Sequence, residues 1–580
     1  MVARRTIVLA LLALALCAAT LDAQWCVDCA WSRFWTIDRR AWRASTAPVF
    51  PESPMLEQER PTSLGVAFSG GGTRSATASV GQLRGLAHNG WLDKVRYVTG
   101  VSGGSWAAVP FTFSRLPLDE LVGPMEEPRT MTLEAIKRAP AGSLPRSIVA
   151  SRLDAAGLAE GLELVARQKA GGRGALGIDA DTVLDHVFGI RGSADQTYAD
   201  MLGRFFVAPH VPDGTTKPYA WNDASVAELI TANPTYAASD FITATPNRPF
   251  LIVGGSMIYM HPAYDYPRLI PVEYTPLYSG VRQQFGGRLG GTYVWPFAYD
   301  VEAADRVDGD KVRVIRRPRG RQFTLADVIA SSGAAPLLGL FRGKPVSALR
   351  FGAQFFPMWN HYTVRQDETT QRATATPAML GLSHGDGGFT DNLGVMPLLA
   401  RGVQNIMLFV NSKDPFEESL DLQTLFRRLD RREDWSGDRS GNVVFDSERW
   451  TELRDGLSQE VAAKRPAIYC GRGWTVLGNE LYNIHPYSGL NICFVYNHAV
   501  ESWVVQLPEE TQRTVRTRKE FRHFPWFSTF EENAPHLIQL HAAQVNLFAN
   551  LTAWSITNTE SRCRIADGLR EVLGGCPGGS

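Results

Sequence analysis

Residues 64–106 read LGVAFSGGGTRSATASVGQLRGLAHNGWLDKVRYVTGVSGGSW. Leu64-Gly-Val-Ala-Phe68 is a short apolar run of the kind that forms a strand covered on both faces. Gly70-Gly-Gly72 breaks it. From Ser75 to Ala87 apolar and small residues recur at helical spacing, Gly90 ends that helix, and Val95 to Thr99 is a second strand. Strand, glycine loop, helix, strand is a βαβ unit, which implies two parallel strands with a right-handed crossover.

The same alternation continues outward. Phe250 to Ser256 and Asn405 to Val410 read as buried strands, Phe323 to Ile329 as helix, and Leu393 to Ala400 as a helix that Asp391 or Asn392 would cap. Asn491 to Val495 reads as a further strand, and a helical region from about Pro535 to Ile556 closes the chain. The expected class is α/β: an α/β/α sandwich around a mostly parallel sheet. The expected organisation is a signal peptide at 1–23, an N-terminal arm at 24–60, a catalytic core at 61–415 carrying an insertion at about 110–300, and a C-terminal part at 416–580 packed on that core.

With 580 residues, 44% of them hydrophobic, the chain has ample material for a large core. Its 59 basic and 59 acidic residues balance, so there is no field to hold nucleic acid or to adsorb by charge to an anionic membrane. Arg4 and Arg5 precede the apolar run Ile7 to Ala19, the pattern of a secretory signal cleaved after Ala19 or Ala23. Export to a periplasmic, outer-membrane-associated or secreted location is therefore expected. Beyond Cys17 stand Cys26, Cys29, Cys470, Cys493, Cys563 and Cys576, an even set that suits disulfides in an exported chain. Sequence leaves about 15 connectivities open; neighbour pairing, Cys26–Cys29, Cys470–Cys493 and Cys563–Cys576, is the expected one.

Gly100-Val-Ser102-Gly-Gly104 follows the second strand. A nucleophilic serine must stand clear of its own backbone on a sharp strand-to-helix turn, and glycines beside it relieve the resulting clashes. Acyl transfer also builds an oxyanion that needs preorganised donors. Ser69-Gly-Gly-Gly72 ends the preceding parallel strand, so both loops reach the carboxyl edge of one sheet, where the N–H groups of Gly71 and Gly72 can face a substrate oxygen. Arg74 adds a donor fork suited to that loop or to a phosphate. Asp386, within Gly385-Asp-Gly-Gly388, is the candidate base; a reference pKa of about 3.9 makes it weak unless burial raises it. A phosphate-binding loop is disfavoured, because the glycines lack a G-K-[ST] ending.

FSGGGTRSATASVGQLRGL, YVTGVSGGSW and GDGGFTDNLGVMPLLARG, in this order, resemble the patatin-like and cytosolic phospholipase A superfamily over roughly residues 62–412. The resemblance implies a Ser–Asp dyad and cleavage of acyl esters in lipids at a membrane or micelle surface, as in a phospholipase A or lysophospholipase. By motif it makes Ser102 the nucleophile, Asp386 the base, Gly71 and Gly72 the oxyanion hole, and Arg74 its support or a phosphate contact. The chemistry so read needs no metal or cofactor, and calcium-dependent membrane docking is not carried over from the family. The segment ASSGAAP, Ala330 to Pro336, resembles a family stretch that packs near the site. Protein partners are not legible. Rival readings are an acyltransferase using an alcohol acceptor, a Ser–His–Asp esterase drawing on His384, His485, His498, His523, His536 or His541, and an exported lipid-binding protein without catalysis.

Overall fold

The computed structural model describes residues 28–36, 50–151, 196–259, 268–285, 289–316, 322–335, 356–367, 370, 372–429, 441–527 and 540–576. The elements that matter here begin with β1 (Cys29–Thr36), α1 (Ser53–Glu59), β2 (Leu64–Phe68), α2 (Gly72–His88), β3 (Val95–Val101) and α3 (Gly103–Phe113). Next come β4 (Phe250–Tyr259), β5 (Arg268–Tyr274), β6 (Ser279–Val281), β7 (Thr292–Val294), β8 (Ala303–Asp308), β9 (Lys311–Ile315) and α4 (Leu325–Ser332). The chain continues through β10 (Met358–His361), β11 (Met379–Asp386), α5 (Met396–Ala400) and β12 (Asn405–Val410). It closes with β13 (Ala467–Val476), β14 (Tyr487–Tyr496), α6 (Ala542–Thr557) and α7 (Thr559–Gly568).

The described strands build a 14-stranded sheet in the order β8-β9-β1-β7-β6-β5-β4-β3-β2-β12-β14-β13, with β11 beside β4 and β10 beside β11. Its centre, β4-β3-β2-β12-β14, is parallel throughout. Every residue of β2 and of β12 is buried. Because successive side chains point to opposite faces, that pattern means both faces of the centre are covered, as the apolar runs LGVAF and NIMLFV require. The α/β class and the parallel core follow the sequence reading. The wings are antiparallel and could not be read from those runs.

Segments outside the parallel centre share its sheet. The arm at 24–60 contains β1, which pairs antiparallel with β9 and β7 inside the large sheet. Within the stretch 110–300, β4 lies directly against β3, and β5, β6 and β7 extend the sheet from it. The C-terminal part supplies β14 and β13, and α6 lies along α2, with Asn89 Nδ2 donating to Ile556 O (2.9 Å) and Thr552 Oγ1 to Ala78 O (3.1 Å). These strands pair with partners remote in sequence, so no local pattern marks their membership.

Helix α5 starts at Met396 rather than Leu393. Gly394 sits at φ 67°, which a continuous helix does not allow. Asp391 still caps the segment: its carboxylate accepts from the N–H groups of Leu393 (3.1 Å), Gly394 (3.0 Å) and Met396 (2.9 Å). The region from Pro535 enters the described residues only at Leu540, and its helix begins at Ala542.

A buried ionic cluster ties the distant segments together. Arg401, just past α5, reaches Glu52 Oε1 (2.7 Å) and Glu273 Oε2 (3.0 Å) and lies over the Phe50 ring at 4.0 Å. Arg282 shares Glu273, and the Tyr278 hydroxyl donates to Glu52 Oε2 (2.9 Å). Disulfides join Cys470 to Cys493, which face each other across β13 and β14, and Cys563 in α7 to Cys576. Cys29 is disulfide-bonded; Cys26 and the N-terminal apolar run lie outside the described residues.

Candidate active site

Strand β4 serves as a shared rail. Its first half pairs with parallel β3, whose last residue Val101 lies opposite Gly254. Its second half pairs on the same edge with antiparallel β11, whose last residue Asp386 lies opposite Gly255. The two strands run towards each other and end one rail position apart. That is why Ser102 and Asp386 meet across 284 residues: Ser102 Oγ donates to Asp386 Oδ2 at 2.8 Å.

The Ser102 backbone has φ 51° and ψ −125°, the positive-φ geometry of a sharp elbow, and it leads into the N-terminus of α3. Ser102 is 5% exposed and Asp386 3%. Burial pushes the Asp386 carboxyl up to about 7; its hydrogen bonds from the Gly388 N–H (2.7 Å to Oδ1) and from Ser102 only partly offset this. A carboxylate tuned near neutrality accepts a serine proton and returns it far more readily than an ordinary aspartate.

The glycine loop lies against this pair. Gly71 has φ 138° and Gly72 has φ 59°, conformations that a residue with a Cβ rarely adopts. The Gly70 N–H is already taken by Asn392 O (2.8 Å). Gly71 and Gly72 open α2, where N–H groups have no carbonyl one turn back and the helix presents its positive end. The loop and the elbow touch: a Cβ placed on Gly103 would lie 1.8 Å from Gly72 O. Gly103→Ala must therefore push the two apart. The expected outcome is a loss of about 10²-fold in kcat, the scale of a misplaced reacting group, in a protein whose circular dichroism is retained. Activity within twofold of the parent would show that the contact is immaterial.

Arg74 does not reach outward. It is 6% exposed, its Nε donates to Asn411 O (3.0 Å) and its Nη1 to Phe527 O (2.5 Å), and burial pulls its pKa down to about 10. Its guanidinium packs behind Gly71. Of the two roles the sequence suggested for it, this placement suits loop support and leaves the phosphate contact without geometry. Asn411, at the end of β12, completes the support: its N–H donates to Ser69 Oγ (2.7 Å), its Nδ2 to Ser75 Oγ (3.1 Å), and its Oδ1 accepts from Gln82 (2.7 Å).

Among the described residues no histidine hydrogen-bonds Ser102 or Asp386. His384 shares the strand with Asp386 but is fully buried between Tyr299 OH (2.9 Å) and Leu382 O (2.9 Å), and burial drives its pKa down to about 3. Burial also lowers His485 and His498. His536 lies outside the described residues.

Three neighbours of the pair carried little signal in the sequence. Ser332 contacts the Ser102 backbone, and ASSGAAP marked its segment without marking a role. Asn392, legible as a helix cap, instead spans from the glycine loop to Asp421 through its side chain (2.6 Å). Asn411 has no local signature at all.

Comparison with known proteins gives short matches. No family model matches the chain. Phospholipase B of Cryptococcus neoformans var. grubii is 31% identical over 115 residues, 15% of this chain and 18% of that protein. Cytosolic phospholipase A2 zeta of Mus musculus is 43% identical over 72 residues, 12% of this chain and 8% of that protein. Cytosolic phospholipase A2 beta of Homo sapiens is 43% identical over 56 residues, 10% of this chain and 7% of that protein. Over these short stretches the chain is similar to phospholipase B and to cytosolic phospholipases A2. The matches span less than a fifth of each of these proteins. Among solved structures, human GIVD cytosolic phospholipase A2 aligns with TM-score 0.44 at 13% identity, covering 92% of this chain and 63% of that one.

Proposed function

We propose that this protein is a serine acyl hydrolase that cleaves fatty acyl esters of lipids, of phospholipase A or lysophospholipase type, through a Ser102–Asp386 dyad. The observation that carries the reading is the 2.8 Å hydrogen bond from an elbow serine to a buried carboxylate with a raised pKa. The local likeness to phospholipase sequences supports the lipid ester class.

In the proposed cycle Ser102 Oγ gives its proton to Asp386 Oδ2 and bonds to the acyl carbonyl carbon. The carbonyl oxygen becomes an oxyanion, held by the N–H groups of Gly71 and Gly72. On collapse the ester C–O bond breaks, and the leaving alkoxide takes the proton from Asp386. Water then attacks the acyl-serine while Asp386 accepts its proton and passes it back to Ser102 as the fatty acid leaves. Arg74 and Asn411 keep the loop in place, and neither touches substrate. We also propose that the protein is exported; its basic and apolar N-terminus and its disulfides support that location.

The test is fatty acid release from phosphatidylcholine and lysophosphatidylcholine by the purified protein, with fluorophosphonate labelling mapped by mass spectrometry. Release together with a label on Ser102 is expected. A protein that neither releases fatty acid nor takes the label is a binding module instead.

The base must be ionised to work, and Asp386 is held up to about 7. So kcat/KM is expected to rise with pH through about 7 and to fall away below it. An acid limb at the ordinary aspartate value of about 3.9 would show that burial does not raise the Asp386 carboxyl in the working enzyme.

A further inference from the structure

We propose that Ser332 is a positioning residue that sets the register between the nucleophile and the base; this rests on the dyad reading above. Ser332 is the last residue of α4 and is fully buried. Its Oγ accepts the Ser102 N–H at 2.8 Å and donates to Gly254 O at 2.7 Å. Its own carbonyl accepts the Gly387 N–H at 3.1 Å. One residue thus holds the peptide of the nucleophile, the rail at the position opposite Val101, and the residue next to the base.

The reason for such a device lies in the way the strands end. β3 and β11 approach head-on along β4, and past Val101 and Asp386 neither tip has ladder bonds to hold it. Ser102 also sits at positive φ just past the end of β3 and is buried. A buried N–H requires a partner, and a hydroxyl that is itself fixed by a backbone carbonyl is a stiff one. The end of α4 is placed to provide it. The helix opens on a capping box, with Thr324 N–H donating to Asp327 Oδ2 (2.9 Å), and its last carbonyls have no partners within the helix. Two carbonyls at this helix end and one side-chain hydroxyl find partners around the site. Ser332 O takes Gly387, Gly333 O takes the Tyr198 hydroxyl (2.7 Å), and Ser331 Oγ pairs with the Tyr274 hydroxyl on β5 (2.8 Å). Helix α4 is therefore anchored to β5 on one side while its terminal hydroxyl grips the dyad on the other.

The prediction separates alignment from folding. Ser332→Ala leaves substrate contacts untouched, so KM for lysophosphatidylcholine stays within about twofold while kcat falls about 10- to 100-fold. The hydrogen bond from Ser102 helps keep the Asp386 carboxylate ionised, so loosening it moves the acid limb of the pH profile upward. A side chain that merely fills space would not move that limb. Wild-type kcat and an unshifted limb in folded Ser332→Ala would overturn the proposal. Should Ser332→Ala not fold, Ser332→Cys keeps the shape and weakens the acceptor; lowered kcat with a raised limb supports the role, and wild-type behaviour overturns it. Ser102→Ala run alongside distinguishes the two claims. If it is inactive and the Ser332 variants are normal, only the positioning role falls; if it is active, the dyad falls and the positioning role falls with it.

Discussion

Ser102→Ala and Asp386→Asn are each expected to lower fatty acid release by about 10³-fold or more while remaining folded. The serine variant removes the atom that, in the proposed cycle, bonds to the acyl carbon. The asparagine variant keeps the shape and even a partner for Ser102, but an amide cannot accept the proton at 2.8 Å. The two losses should not add, because both residues serve one step. Stability gives an independent check. The folded-state pKa of Asp386 is raised, so the protonated form suits the fold, and stability is lost as pH rises through about 7. Asp386→Asn removes that cost. Its stability relative to the parent should therefore grow between pH 5 and pH 8, even as its activity stays near zero. Substantial hydrolysis by folded Asp386→Asn would hand the base role to another group.

Arg401→Met is expected to destabilise the fold by about 3–5 kcal/mol. The Arg401 side chain is 1% exposed and that of its partner Glu52 0%, while Glu273 is shared with Arg282. Removing the cation leaves carboxylates buried without its compensating charge. Burial alone would raise the Glu273 pKa, but Arg282 and Arg401 together hold it below the ordinary value. Its contribution is present at neutral pH and is lost as pH falls through that depressed pKa, so the difference between Arg401→Met and the parent should shrink in acid. A urea midpoint unchanged at pH 7 would show that the cluster contributes nothing net. The cluster joins the segment before α1, the end of α5 and strands β5 and β6, so its loss should loosen segments that sequence separates by more than 300 residues.

How much was legible depended on how local each feature is. β2, β12 and the start of β4 stand out because a strand covered on both faces must be apolar throughout, and that condition is written into adjacent residues. The elbow at Ser102 and the loop at Gly71 were legible for a related reason: positive φ and close approach select glycine at fixed offsets. The antiparallel wing left no such trace. Strands such as CAWSRFWT and AADRVD are half exposed and mixed in character, and their partners lie hundreds of residues away or across a turn. Arg74 shows the limit within a motif. The sequence supplied a guanidinium beside the loop, and only the packing of Asn411 and Phe527 around it decided that it turns inward.

The chain by itself determined the βαβ unit, the serine on its turn, the glycines that let two loops touch and an aspartate flanked by glycine, since each answers to steric rules within a few residues. Only the tertiary structure decided that the aspartate is the partner of the serine. That follows from β4, which accepts a parallel strand on one half of an edge and an antiparallel strand on the other, so that their tips converge at Gly254 and Gly255. Register between strands is settled by long-range hydrogen bonding and burial, and no short stretch of residues encodes it.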